Sequence, residues 1–112
     1  MIRFITITVV SLALTLFAAF LYASDPLWID VRTPEEYSSG HVEGAVNIPY
    51  TEISARIGEV TEDKDATIYV YCRSGRRSGI AQSELQQSGF SNVVNVGGLD
   101  DALARAAEVV PE

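Results

Sequence analysis

The chain has 112 residues, 8 Lys and Arg against 15 Asp and Glu, a net charge of −7 and a single cysteine. That length holds one domain. The acidic balance argues against nucleic acid or an anionic membrane face as a partner recognised through general charge, and a lone cysteine excludes an internal disulfide.

Residues 1–23 differ from the rest. The first three are short and positive through Arg3, residues 4–22 are apolar apart from Thr6, Thr8, Ser11 and Thr15, and no carboxylate precedes Asp25. A positive start before an apolar run reads as a secretory signal peptide, cut after Ala23, with the folded domain at 24–112. Leu21, two residues before that cut, is larger than the usual small residue. The run is also close to the roughly 20 residues of a membrane-spanning helix, so an uncleaved anchor is the second reading. Both put the domain beyond the inner membrane, with Arg3 left in the cytoplasm. Cutting the leader removes one basic and no acidic residue, so −7 becomes −8.

The remainder alternates short apolar runs with helical patterns. Residues 27–31 read as a first strand. Thr33 reads as a helix cap, with Pro34 at the first helical position, Glu35 and Glu36 in the first turn and Gly40 closing. Residues 45–48 are a second short strand, stopped by Pro49. Residues 51–57 suit a helix capped by Thr51, with Ile53 and Ile57 facing the core, and 59–65 a polar connection. Residues 67–71 read as the central, buried strand. Residues 78–88 are helical, with Ile80, Ala81 and Leu85 on one face and Gly89 past the end. A last strand at 93–96, a turn at Gly97-Gly98 and a closing helix at 100–109 complete the chain. This alternation predicts a three-layer α/β domain with a mostly parallel sheet, whose ligands sit at the carboxyl ends of the strands.

Cys72 falls at such an end. A buried free cysteine finishing a strand is often only packing, but its neighbours argue for chemistry. Ser74, Gly75 and Ser78 are small, and a tight turn there can aim successive N–H groups inward at an anion. A helix N-terminus follows, and Arg73, Arg76 and Arg77 cluster within five positions. Each feature favours the thiolate, the nucleophilic form. With only Cys72 and His41 as soft ligands, a zinc site is not expected, and no cofactor is implied.

The segment Tyr71-Cys72-Arg73-Ser74-Gly75-Arg76-Arg77-Ser78 resembles the active-site loop of single-domain rhodaneses, the thiosulfate sulfurtransferases. Three further stretches resemble the same family: Trp28 to Arg32 with Glu35-Glu36-Tyr37, Gly40 to Pro49, and Asn95 to Leu99. The resemblance implies a five-stranded parallel sheet flanked by helices. It also implies sulfur transfer from thiosulfate through a Cys72 persulfide to cyanide or a thiol, while the modest core of so short a mature chain suits a monomer. With the leader it suggests a periplasmic protein, or one anchored in the inner membrane and facing the periplasm. Arg73 and Arg76 are then expected to meet the anion, Arg77 to meet it or to pair with a surface acid, and Asp30 and Arg32 to brace the loop from the adjacent strand. His41 is expected to hold backbone near Gly44 or the first helix.

Two other classes fit less well. Phosphatases and arsenate reductases of related fold need Cys-x5-Arg, and the sixth position after Cys72 is Ser78. A non-catalytic rhodanese-like docking module would have no use for the complete cysteine loop.

Overall fold

The computed structural model describes residues 25–108. The expected leader and the last residue of the expected closing helix, Val109, lie outside them. The described elements are β1 (Leu27–Asp30), α1 (Pro34–Ser38), β2 (Val46–Asn47), a 3-10 turn (Tyr50–Glu52), α2 (Ile53–Arg56), a second 3-10 turn (Ile57–Glu59), β3 (Ile68–Tyr71), α3 (Arg76–Gln87), β4 (Val93–Gly97) and α4 (Leu99–Glu108).

The strands form one sheet in the order β2-β1-β3-β4, and every neighbouring pair is parallel. Four strands are present among the described residues, where the family resemblance implied five. The sequence offers four β-branched or aromatic runs, and each of them pairs. The fifth strand rested on the resemblance alone.

Strand alternation divides the side chains between two faces. Ile29, Val31, Ile68, Val70, Cys72 and Val93 join Ile53, Ile57, Ala81, Leu85 and Phe90 under α2 and α3. Tyr71, with Trp28 and Val96 at its margin, packs on Val42, Ala45 and Ala102 of the α4 side. Both faces are covered, which gives the three expected layers. Burying each of these large aliphatic side chains contributes about 1.5–3 kcal/mol.

Local chemistry explains the helix ends. At α1 the Thr33 hydroxyl accepts the Glu36 N–H, and the Glu36 carboxylate accepts the Thr33 N–H in return, a reciprocal cap. The single helix expected over 51–57 is instead split into two 3-10 turns around α2. No side chain caps any of the three, Thr51 included, so tighter turns take up the ends. Ile53 and Ile57 are nonetheless buried as their spacing required. Helix α3 begins at Arg76, two residues before the expected start.

The topology locates the site. From β1 the chain moves to β2 on one flank, then crosses to β3 and β4 on the other. The carboxyl ends of β1 and β3 therefore lie side by side where the winding reverses, the position at which such sheets bind ligands. Asp30 pairs with Tyr71, and the Val31 N–H donates to the Tyr71 carbonyl at 3.0 Å. Cys72 is the next residue.

Candidate active site

Cys72 continues the ladder, its N–H donating to the Gly97 carbonyl at 2.9 Å. Its side chain faces α3 and is fully buried. Three residues on, Gly75 adopts φ 97° and ψ −12°, the left-handed region open to glycine. That turn starts α3 with no side chain capping it, which leaves the first N–H groups of the helix without partners inside it. The sulfur takes the place of a capping oxygen. Gly75 N–H donates to Sγ at 3.0 Å, Ser78 Oγ lies 3.3 Å away, and the backbone dipoles of Ser78 and Ser74 add to their effect. Burial pushes the thiol pKa up. The Ser78 hydroxyl and the N–H groups of Ser78, Ser74 and Gly75 outweigh burial, so it falls from 9.0 to about 7.

The arginines divide. Arg73 and Arg76 are exposed. Arg77 grips the Glu36 carboxylate with both guanidinium nitrogens, at 2.7 and 3.0 Å. That grip, with Thr33 assisting against burial, holds the Glu36 pKa at about 2 instead of 4.5. Glu36 in turn raises the pKa of Arg77, and the charge on Cys72 adds to the rise. Arg76, Arg77 and Ser78 belong to the first turn of α3, not to a free loop. Of the three arginines expected to favour the thiolate, Arg77 couples to Cys72 by charge, while the largest causes of the thiol's acidity are a hydroxyl and backbone dipoles.

Asp30 and Arg32 are both buried and form a forked ion pair, with Arg32 Nη2 2.6 Å from Asp30 Oδ2 and Nε 2.9 Å from Oδ1. Arg32 also donates to the Gly40 carbonyl at 2.7 Å, and its guanidinium lies 5.7 Å from the Tyr71 ring centre. Among the described residues neither side chain hydrogen-bonds residues 72–78. The pair fixes the turn after α1 and packs against Tyr71, whose hydroxyl accepts the Val42 N–H at 3.0 Å. His41 stacks on Tyr37, ring centres 3.7 Å apart, and its Nδ1 lies 2.8 Å from the Tyr37 carbonyl oxygen at the end of α1.

Strand β4 supplies the other wall. The β3–β4 register slips so that Val70 meets Asn95 while Tyr71 meets Gly97, a bulge that re-aims Asn95 and the turn beyond. Asn95 hydrogen-bonds Gly75, Ser78 and Gly97. A Cβ on Gly98 would lie 2.5 Å from the Arg73 carbonyl oxygen, so only glycine lets the β4–α4 turn press on the loop. Beside the loop, an open cleft of about 620 Å³ is lined by residues that include Arg32, Glu36, Arg73, Gly98 and Asp100.

The rhodanese-like domain model matches residues 15–104. The chain belongs to the rhodanese family. It is 50% identical over 74 residues to the thiosulfate sulfurtransferase PspE of Escherichia coli, which covers 66% of this chain and 71% of that protein. A sulfurtransferase of Allochromatium vinosum is 40% identical over 81 residues, covering 72% of this chain and 74% of its own. A rhodanese from E. coli, solved with anions, superimposes with a TM-score of 0.67 at 48% identity, over 69% of this chain and 91% of that one. The chain is a sulfurtransferase.

In this rhodanese the stretches that carried the resemblance converge on the carboxyl end of the sheet: β1 with α1, the turn into β2, the Cys72 turn, and the β4–α4 turn. Two residues that hold the site have no assigned part in the sequence reading. Asn95 carried a signal, as the one polar residue in an otherwise apolar strand. In the sequence Glu36 reads as a first-turn acid and as part of the Glu35-Glu36-Tyr37 stretch of the resemblance. Its partner Arg77 is 41 positions away, and nothing local announces that pairing.

Proposed function

We propose that this rhodanese carries sulfane sulfur from thiosulfate, through a persulfide on Cys72, to cyanide or a thiol. One observation carries the reading: the sulfur of a lone cysteine is bonded by turn and helix N–H groups that bring its pKa to about 7 with no histidine beside it. The Cys72 thiolate attacks the outer sulfur of thiosulfate. A new S–S bond forms, the bond to the SO₃ group breaks, and sulfite leaves with its electron pair. An acceptor anion then attacks the outer sulfur of Cys72–S–S⁻, and the thiolate leaves. Negative charge is present on sulfur at each stage, which suits fixed N–H dipoles.

Ser74, Gly75 and Ser78 supply the donors. Arg73 and Arg76, exposed at the mouth, draw the dianion in, while Arg77 holds α3 against α1. Asp30 and Arg32 support the strand end. The Cys72 sulfur is covered in the resting loop, so loading requires the arc 73–75 to yield. The leader supports action in the periplasm, free or tethered to the inner membrane. Nothing in the scheme needs more than a monomer.

Incubation with thiosulfate is expected to add one sulfur atom to the intact mass, and the Cys72→Ser variant none. An adduct surviving Cys72→Ser, or no adduct on the wild type, would sink the proposal. Hydrolysis of an aryl phosphate would point to phosphoryl chemistry instead.

A further inference from the structure

Asn95 meets the active-site turn with both ends of its amide. Its Nδ2 donates to the Gly75 carbonyl at 3.0 Å, and its Oδ1 accepts the Gly97 N–H at 3.1 Å. These two bonds fix the orientation, because a reversed amide would set N–H against N–H and oxygen against oxygen. Oδ1 must therefore face Ser78 Oγ, only 2.6 Å away, and a contact that short requires the Ser78 hydroxyl to donate. That hydroxyl has one proton. Its oxygen then turns lone pairs toward Cys72 Sγ at 3.3 Å. In the neutral enzyme the thiol S–H donates to Ser78 Oγ, in a chain running from Cys72 to Ser78 to Asn95.

Ionisation upsets this arrangement. A sulfur anion facing lone pairs is repelled until the hydroxyl rotates. We infer that Asn95 is a positioning residue that competes with the Cys72 sulfur for the single Ser78 hydroxyl proton, so that ionisation of the thiol swings that proton from Asn95 Oδ1 to Sγ. The thiol proton leaves to solvent, and the Ser78 O–H bond stays intact throughout. Asn95 Oδ1 keeps the Gly97 N–H, so the swing orphans no acceptor. Gly79, one turn into α3, leaves the amide room: a Cβ there would lie 3.4 Å from Asn95 Nδ2.

Around the sulfur, Arg77 on α3 couples to it by charge, with Glu36 of α1 and Tyr50 acting in turn on Arg77. Arg73 and Arg76 follow it in sequence. Strands β1, β3 and β4 contribute Ile29, Val70 and Val93 to its buried cluster, joined by Val31 just past β1, none of them titratable. The inference rests on Cys72 being the nucleophile of the proposed reaction, yet its test needs no sulfur donor.

Two measurements decide it. The first is the pH profile of Cys72 alkylation by iodoacetamide in a double-mutant cycle. Ser78→Ala is expected to raise the half-point by about one pH unit, a tenfold loss of thiolate at neutral pH. Asn95→Ala is expected to move the half-point lower, by at least about half a unit, when Ser78 is present than when Ser78 is Ala. Zero coupling, or coupling of opposite sign, overturns the inference. The second uses the unaltered protein and does not depend on any variant folding. One cysteine gives one S–H stretch in the infrared, expected at the frequency of a hydrogen-bonded thiol at about pH 5, below the thiol pKa. A band at the free-thiol frequency overturns the inference. Loss of sulfur loading with both results intact would count against the sulfurtransferase scheme alone.

Discussion

The Cys72 sulfur stands where a side-chain oxygen caps most helices, with the Gly75 N–H at 3.0 Å and the Ser78 hydroxyl at 3.3 Å. Dipoles at such range need no mobile charge and are little screened by salt. Two sets of predictions belong to this scale, the first on Cys72 itself. Alkylation of Cys72 should rise through a half-point near pH 7, and that half-point should barely move between low and high salt. Because the folded pKa lies below the ordinary 9.0, the thiolate adds stability as pH climbs from about 7 toward 9. That contribution is lost as pH falls through 7. Urea unfolding of wild type against Cys72→Ala across this range measures it. A half-point near 9 would contradict the geometry. The second concerns the exposed arginines. Arg73→Ala or Arg76→Ala should leave that half-point in place and raise the KM for thiosulfate several-fold, since a charge-assisted contact contributes roughly 1.5–3 kcal/mol when formed and less when exposed. Unchanged kinetics in both variants would remove their steering role.

Among the elements, α1 and α3 are joined by one forked contact, Glu36 to Arg77. Glu36 also closes the cap with Thr33, so a single carboxylate orders two helix starts. Glu36→Gln is expected to cost about 1 kcal/mol at neutral pH, as a partly exposed pair does. The difference from wild type should shrink as pH falls from 4.5 toward 2, because the folded pKa of Glu36 lies at the lower value. Denaturant curves at several acid pH values test this, and a constant difference would deny the pair its part. The same elements show what a sequence can reveal. Thr33, Pro34 and Glu36 spell out the start of α1, because a reciprocal cap is local chemistry. Helix α3 starts two residues before the pattern of the sequence announces it, since no side chain caps it and a sulfur serves instead. Asn95, from β4, and Glu36, from α1, reach the site only through the parallel sheet's long connections. Local patterns carry the strands, the core faces and the cysteine turn, but they do not carry these cross-element bonds.

At the scale of the whole molecule, everything converges where the winding of the sheet reverses. The Asp30–Arg32 pair is buried at that point. Asp30 Oδ1 accepts the backbone N–H and Nε of Arg32, and Arg32 Nη2 reaches on to Gly40. Asn47 Nδ2 donates to the carbonyls of both residues at 3.0 Å, so β1, β2 and the turn after α1 share one polar knot beneath the site. Removing one partner would strand a buried charge. Asp30→Ala is therefore expected to cost about 3–5 kcal/mol, a large share of the roughly 5–15 kcal/mol that holds a domain together. Urea unfolding reads this directly. Adding Arg32→Leu to Asp30→Ala should return stability instead of lowering it further, because the stranded guanidinium is gone. If the double variant loses the sum of both single losses, the two residues act separately and the knot is not a unit. Since neither side chain bonds the Cys72 turn, the folded double variant should keep an alkylation half-point near pH 7. A half-point displaced toward 9 would instead make the pair part of the cysteine's own environment.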